Sequence, residues 1–225
     1  IPDTICQLKK LKCLDLYNNE VERLTPIPED IGNLRNLESL YIGGNKIEKL
    51  PDSIEALDKL ELLNIIETRI SNITVLPKSI TDLHIDLTNF SSFPSSILTL
   101  DTISLTIKSN EFPIEILEFN NLKTLHIKQL KKYDFPTNMD ELVSLENLTI
   151  SDNELHSFPL EIFKLENLVS LDLSDNKIEI IPNEIEKLVK LEYLYLRNNK
   201  IKSIPNSIRK LENLHWLELD ENKLT

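Results

Sequence analysis

The chain has 225 residues, with 37 acidic side chains against 25 basic ones and a formal charge of -12. That balance argues against a general nucleic-acid binder, which needs clustered Lys and Arg to displace counterions from phosphate, and it favours a basic partner or simply keeps the chain in solution. With 40% hydrophobic and 28% charged residues, disorder is excluded too, and no apolar run reaches the roughly 18 residues that a membrane span requires.

The first residues, IPDTICQLKK, are not a signal peptide and read as the outer part of a unit already under way. Cys6 and Cys13 have neither metal-site nor redox spacing. A frame L-x-x-L-x-L-x-x-N-x-L then starts at Leu11 and returns from Leu37, Leu60, Ile80, Leu100, Leu122, Leu145, Leu168, Leu191 and Leu214. The last five starts are 23 residues apart; earlier spacings are 26, 23, 20, 20 and 22. Such a period marks a stack of like units, none able to bury its apolar face alone. The chain reads as one domain over 1–225, with partial repeats at 1–10 and 214–225. The full repeats are 11–36, 37–59, 60–79, 80–99, 100–121, 122–144, 145–167, 168–190 and 191–213. Neither end carries the polar cap such stacks need, so a fragment of a longer chain is expected.

Within LVSLDLSDNKIEIIPNEIEKL, Leu171 and Leu173 alternate with Ser170, Asp172 and Ser174, which predicts a short strand with one buried face. Asn176 ends it, placed to hydrogen-bond the backbone of neighbouring turns. Ile178, Ile181, Ile185 and Leu188 continue the core around the outer side, where Pro182 sets a rigid turn. Ten of the eleven prolines, all but Pro26, follow Leu, Ile or Phe in this way.

These residues resemble the leucine-rich repeat family, in its form L-x-x-L-x-L-x-x-N-x-L-x-x-L-P-x-x-I-x-x-L, over essentially the whole chain. The spacing is similar to that of bacterial secreted or surface repeat proteins and of intracellular scaffolds on the Ras pathway. The stretch LPKSITDLHIDLTNF, residues 76 to 90, is closer to secreted bacterial effectors, which tilts the resemblance towards bacteria. Secreted, surface and cytoplasmic locations all stay open. The resemblance implies an α/β repeat solenoid, a horseshoe with about ten parallel strands on the concave side and extended or 3₁₀ segments on the convex side. Units of 20 to 23 residues are indeed too short to hold a long helix.

Between Leu60 and Leu142 the pattern loosens. The ladder asparagine, seen as Asn19, Asn45, Asn153, Asn176, Asn199 and Asn222, becomes Thr68, Thr88, Lys108 and Leu130. Drift and a functional change of curvature both account for this. His84 is flanked by Asp82 and Asp86 on one strand face, but same-face neighbours are about 7 Å apart and His126 lies two strands away, so no metal or cofactor is expected. No phosphate loop, nucleophile elbow or zinc-binding helix occurs, and no enzyme is expected. Asn72, Asn89 and Asn147 begin N-x-S/T triplets of the kind an asparagine-rich chain contains by chance. Lys123, Lys128, Lys131 and Lys132, near Tyr133, read as a solvated edge.

The frame also sorts the concave side chains. Acids there are Asp15, Glu38, Glu61, Glu67, Asp82, Asp86, Asp101, Glu146, Asp152, Asp172, Asp175, Glu192, Glu218, Asp220 and Glu221; bases are Lys12, Lys123, Lys128 and Arg197. Aromatic residues gather at Tyr193, Tyr195 and Trp216, with His215, Arg197 and Glu218 beside them, and a second apolar group, Tyr17, Tyr41, Leu62 and Ile66, lies nearer the N-terminus. The centre is small and polar, from Thr102, Ser104 and Thr106 to Ser170 and Ser174. Exposed Tyr and Trp are the residues that dominate interface hot spots. The expectation is a non-enzymatic module that binds a protein, possibly a basic one, on an acidic concave sheet. A targeting or regulatory segment of a larger effector enzyme, kinase or GTPase is the alternative, and a structural or weakly self-associating solenoid is another. The contact residues expected are Tyr193, Tyr195, Arg197, His215, Trp216, Glu218, Tyr17, Tyr41, Ile66 and Asp172.

Overall fold

The computed structural model describes residues 1–19 and 27–225; residues 20–26, including Pro26, lie outside the described set. Its short strands are β1 Cys13–Asp15, β2 Ser39–Tyr41, β3 Leu62–Ile65, β4 Asp82–Asp86, β5 Ser104–Lys108, β6 Thr124–Lys128, β7 Asn147–Thr149, β8 Ser170–Asp172, β9 Tyr193–Tyr195 and β10 Trp216–Glu218. They divide between two compact units, Ile1–Lys108 and Ser109–Thr225. In the first, β1 to β5 pair in chain order, all parallel. In the second, β6 to β10 do the same. This is the parallel strand array with 3₁₀ connections expected of a leucine-rich repeat solenoid.

The alternation explains each strand. Leu168, Leu171 and Leu173 are wholly buried, while Ser170 and Asp172 between them face outward. Burying each such leucine stabilises the fold by about 2 kcal/mol. On the opposite side the chain runs through short 3₁₀ turns such as Asp52–Ala56 and Asn183–Lys187. Pro51, Pro113, Pro159, Pro182 and Pro205 each stand just before such a turn, with φ between -67° and -76°. Proline is preset to that angle, and its carbonyl accepts the first turn bond, as from the Ile185 N–H to Pro182.

The asparagine ladder forms as expected. Asn176 Nδ2 donates to the carbonyls of Ile150, Leu173 and Ser174, and its Oδ1 accepts the Leu155 N–H at 3.0 Å. Asn199 and Asn222 do the same for their own turns. The residue just before the ladder position turns the chain out of the strand with left-handed backbone. Asn18, Gly44, Glu67, Gln129, Asp152, Asp175, Asn198 and Glu221 have φ from 49° to 67°. Gly44 suits this position, since a side chain there would also meet the Asn18 backbone at 3.1 Å.

A second ladder was not foreseen. The asparagine immediately ahead of a frame donates to a carbonyl of the preceding unit: Asn36 to Lys9, Asn167 to Val143 and Asn213 to Val189, at 2.7 to 2.8 Å. The recurring N-L pair at these positions was its signal.

The central frame needs three corrections. Leu105, not Ile103, pairs in register with Leu83, so the unit expected from Leu100 begins at Thr102. Ile103 is accordingly 44% exposed, and Thr102, expected on the concave face, is 1% exposed in the place of a core leucine. Lys108 therefore leaves the ladder position and becomes a sheet-face residue, 3.5 Å from both Glu67 and the buried Asp86. Leu130 is not a ladder residue either. It is buried, and its N–H donates to Asn153 Oδ1 at 2.7 Å, the bond that Leu155 makes to Asn176 one unit on. Thr68 does stand in for asparagine, donating to the Ile65 carbonyl at 2.9 Å. Thr88 does not: it is exposed, its hydroxyl is given to Asp86, and Asn89 Nδ2 reaches the Thr68 carbonyl instead.

Candidate functional site

Strands β8, β9 and β10 lie within the second unit, and their outward side chains form a small grid. One row runs Ser170, Tyr193, Trp216; the next runs Asp172, Tyr195, Glu218. Neighbours across a row are about 4.8 Å apart along the backbone. Leu171 and Leu194, wholly buried beneath, hold β8 and β9 to the core, while their counterpart Leu217 on β10 is 37% exposed; the tyrosines on either side of Leu194 point away from it. Trp216 is 55% exposed and Tyr193 38%, whereas Tyr195, Asp172 and Glu218 are half-buried. His215 is exposed beside Trp216, with its N–H on the Glu192 carbonyl. The sequence expectation that these residues come together is met in the geometry.

Arg197 lies past the end of β9. Its Nε is 3.0 Å from Asp220, and its Nη2 donates to Glu221 at 2.7 Å. The hydrogen bond to Glu221, with the surrounding carboxylates, holds the guanidinium above its already high ordinary pKa. Its charge is thus engaged within the chain. Asp172 is also committed in part, since its Oδ1 accepts the Ser174 N–H and shapes the strand's end.

The N-terminal group falls in the first unit and is less open. Tyr17 is 44% exposed and its ring lies against Gly43, where an added Cβ would stand 3.0 Å from it. Tyr41, paired with Asp15 across β1 and β2, is half-buried. Ile66 is only 8% exposed, so its side chain belongs to the core more than to any contact surface.

The chemistry elsewhere is that of structure. His84 Nε2 sits 3.3 Å from Asp82, while Asp86 turns to Thr88 and Lys108. Among the described residues, no group of three or more His, Cys, Asp or Glu is placed to hold a metal ion, and no helix is long and apolar enough to cross a membrane. Lys123 and Lys132 of the basic cluster pair with Glu146 and Glu111, at 3.1 and 2.7 Å. Burial pushes the Cys6 thiol above its ordinary pKa, aided by Asp30 and Asp3.

Comparison with known proteins agrees with the repeats. A family model described as leucine-rich repeat region matches residues 2–96, and one described as leucine rich repeat matches 143–201 and 185–224. No curated protein sequence matches the chain. Among solved structures, a leucine-rich repeat protein of Leptospira interrogans is 27% identical, with a TM-score of 0.54; the match covers 100% of this chain and 76% of that one. The plant peptide hormone receptor RGFR1, in complex with RGF2, is 28% identical with a TM-score of 0.60, covering 100% of this chain and 42% of the receptor. The Toll–Spatzle complex of Drosophila shares the fold, at 23% identity and a TM-score of 0.68, over 100% of this chain and 35% of that one. This chain therefore spans less than half the length of either of these last two chains. Frame, ladders, strand register and these matches converge: the chain belongs to the leucine-rich repeat family.

Proposed function

We propose that the chain is a non-enzymatic protein-interaction module that docks a basic partner on its exposed sheet face, anchored by Tyr193, Tyr195 and Trp216. The observation that carries the reading is three large aromatics in adjoining rows of one sheet, Tyr193 and Trp216 exposed and Tyr195 half-buried. Tyr and Trp bury large area at small entropic cost, which makes them common hot spots. Charge supports a basic partner. The acids expected on this face outnumber its bases even with Lys108 added, and such a surface steers cations towards it. The plant receptor solved in complex with RGF2 supports protein binding as the use of the fold.

The test is affinity capture with the native chain beside a Tyr195→Ala, Trp216→Ala variant, followed by titration of the captured protein by calorimetry. Loss of two hot-spot side chains is expected to weaken binding by at least about 30-fold. Equal affinity for the two chains overturns the reading.

A further inference from the structure

Resting on that reading, we infer that the β8–β10 patch recognises arginine side chains of its basic protein partner, with a guanidinium lying over the Trp216 and Tyr193 rings and pairing with Glu218. Glu218 adjoins Tyr195 across β9 and β10 and is two residues along the strand from Trp216. Side chains two apart on a strand share a face, so ring and carboxylate open to the same solvent. Among the described residues neither Glu218 nor Glu192 is in an ion pair, unlike Asp220 and Glu221, which are taken up by Arg197. The negative charge beside the rings is therefore left for a ligand.

Arginine fits this surface better than the other candidates. Its planar guanidinium stacks on an aromatic face and offers a fork of donors to a carboxylate, whereas a lysine ammonium is a compact, strongly hydrated point charge. An apolar side chain would cover the rings but strip water from Glu218 without giving it a donor. Arg197 shows the same chemistry one row away, its fork divided between two carboxylates of the next unit.

Trp216 is the only tryptophan, so its fluorescence reports on this patch alone. The probes are capped hexaarginine, hexalysine and hexacitrulline, titrated at low and at physiological salt. Hexaarginine is expected to change the emission saturably and to bind more tightly than hexalysine, while hexacitrulline leaves it unchanged. Glu218→Gln should weaken hexaarginine binding by up to about 5-fold, and Glu154→Gln, an equally charge-reducing change away from the patch, should leave it as it was. Equal responses to hexaarginine and hexacitrulline, or equal effects of the two substitutions, overturn the inference. A captured partner that still depends on Tyr195 and Trp216, with no arginine response, sinks the arginine chemistry alone and leaves the docking surface standing.

Discussion

Asn176 makes four hydrogen bonds from one buried side chain, and that concentration sets its importance. It closes the gap between two units where the chain leaves the strand and no other partner is at hand for the Ile150 carbonyl or the Leu155 N–H. Replacing it with alanine takes the partner from the Ile150 carbonyl and the Leu155 N–H in a buried place, while the Leu173 carbonyl keeps Asn199 Nδ2 and the Ser174 carbonyl keeps the Asp152 N–H. Asn176→Ala should therefore destabilise the chain by about 3 kcal/mol, against about 1 kcal/mol for an ordinary lost hydrogen bond. Urea unfolding measures the first quantity. Hydrogen exchange of the Leu155 amide, which loses its acceptor, should accelerate in the same variant.

At the scale of the element, β5 shows what a two-residue slip costs. Pairing Leu105 with Leu83 puts Ile107 opposite Ile85 and so keeps both strands' apolar faces on the core. The same choice buries Thr102, whose Oγ1 is inaccessible and has no hydrogen-bond partner among the described residues. An orphaned buried hydroxyl is unfavourable, whereas valine has nearly the same shape without it. Thr102→Val is expected to raise stability by about 1 kcal/mol, read as a higher urea midpoint at an unchanged slope. A drop would show that the hydroxyl is satisfied. The units of β4 and β5 are also those whose residues ahead of the ladder position, Leu87 and Ser109, lack left-handed backbone. Their strands run to five residues, where β7 to β10 stop at three.

Across the molecule, units are tied by exposed ion pairs one repeat apart, among them Glu154 with Lys177 at 2.9 Å and Glu179 with Lys202 at 2.7 Å. Hydrogen bonds from these lysines hold both carboxyls below the ordinary glutamate range. A carboxylate with a depressed folded pKa contributes stability above its unfolded value, about 4.3, and loses that contribution as pH falls through the folded one. Thermal midpoints should thus hold near neutrality and fall below that range. Combining Glu154→Gln with Glu179→Gln should flatten the acid limb, and added salt should weaken the effect of the pairs because they are open to solvent.

What the sequence determined by itself was whatever depends on spacing within one unit. The alternation around Leu171 and Leu194, the asparagine at Asn176 and the proline before each outer turn are local constraints, legible wherever the 23-residue period is regular. The pairing of Tyr193 with Trp216 followed from that same period, because equal units place equal positions side by side. The tertiary structure decided the rest. In the irregular units either Leu100 or Thr102 could start the frame, and only burial against the neighbouring strand chose, moving Thr102 inward and Lys108 onto the face. Ile66 looked exposed by frame and is core. Arg197, expected as a contact residue, is bound to two carboxylates brought in by the next unit. Each of these depends on what lies one repeat away, and a side chain's surroundings there are set by packing, which no single unit encodes.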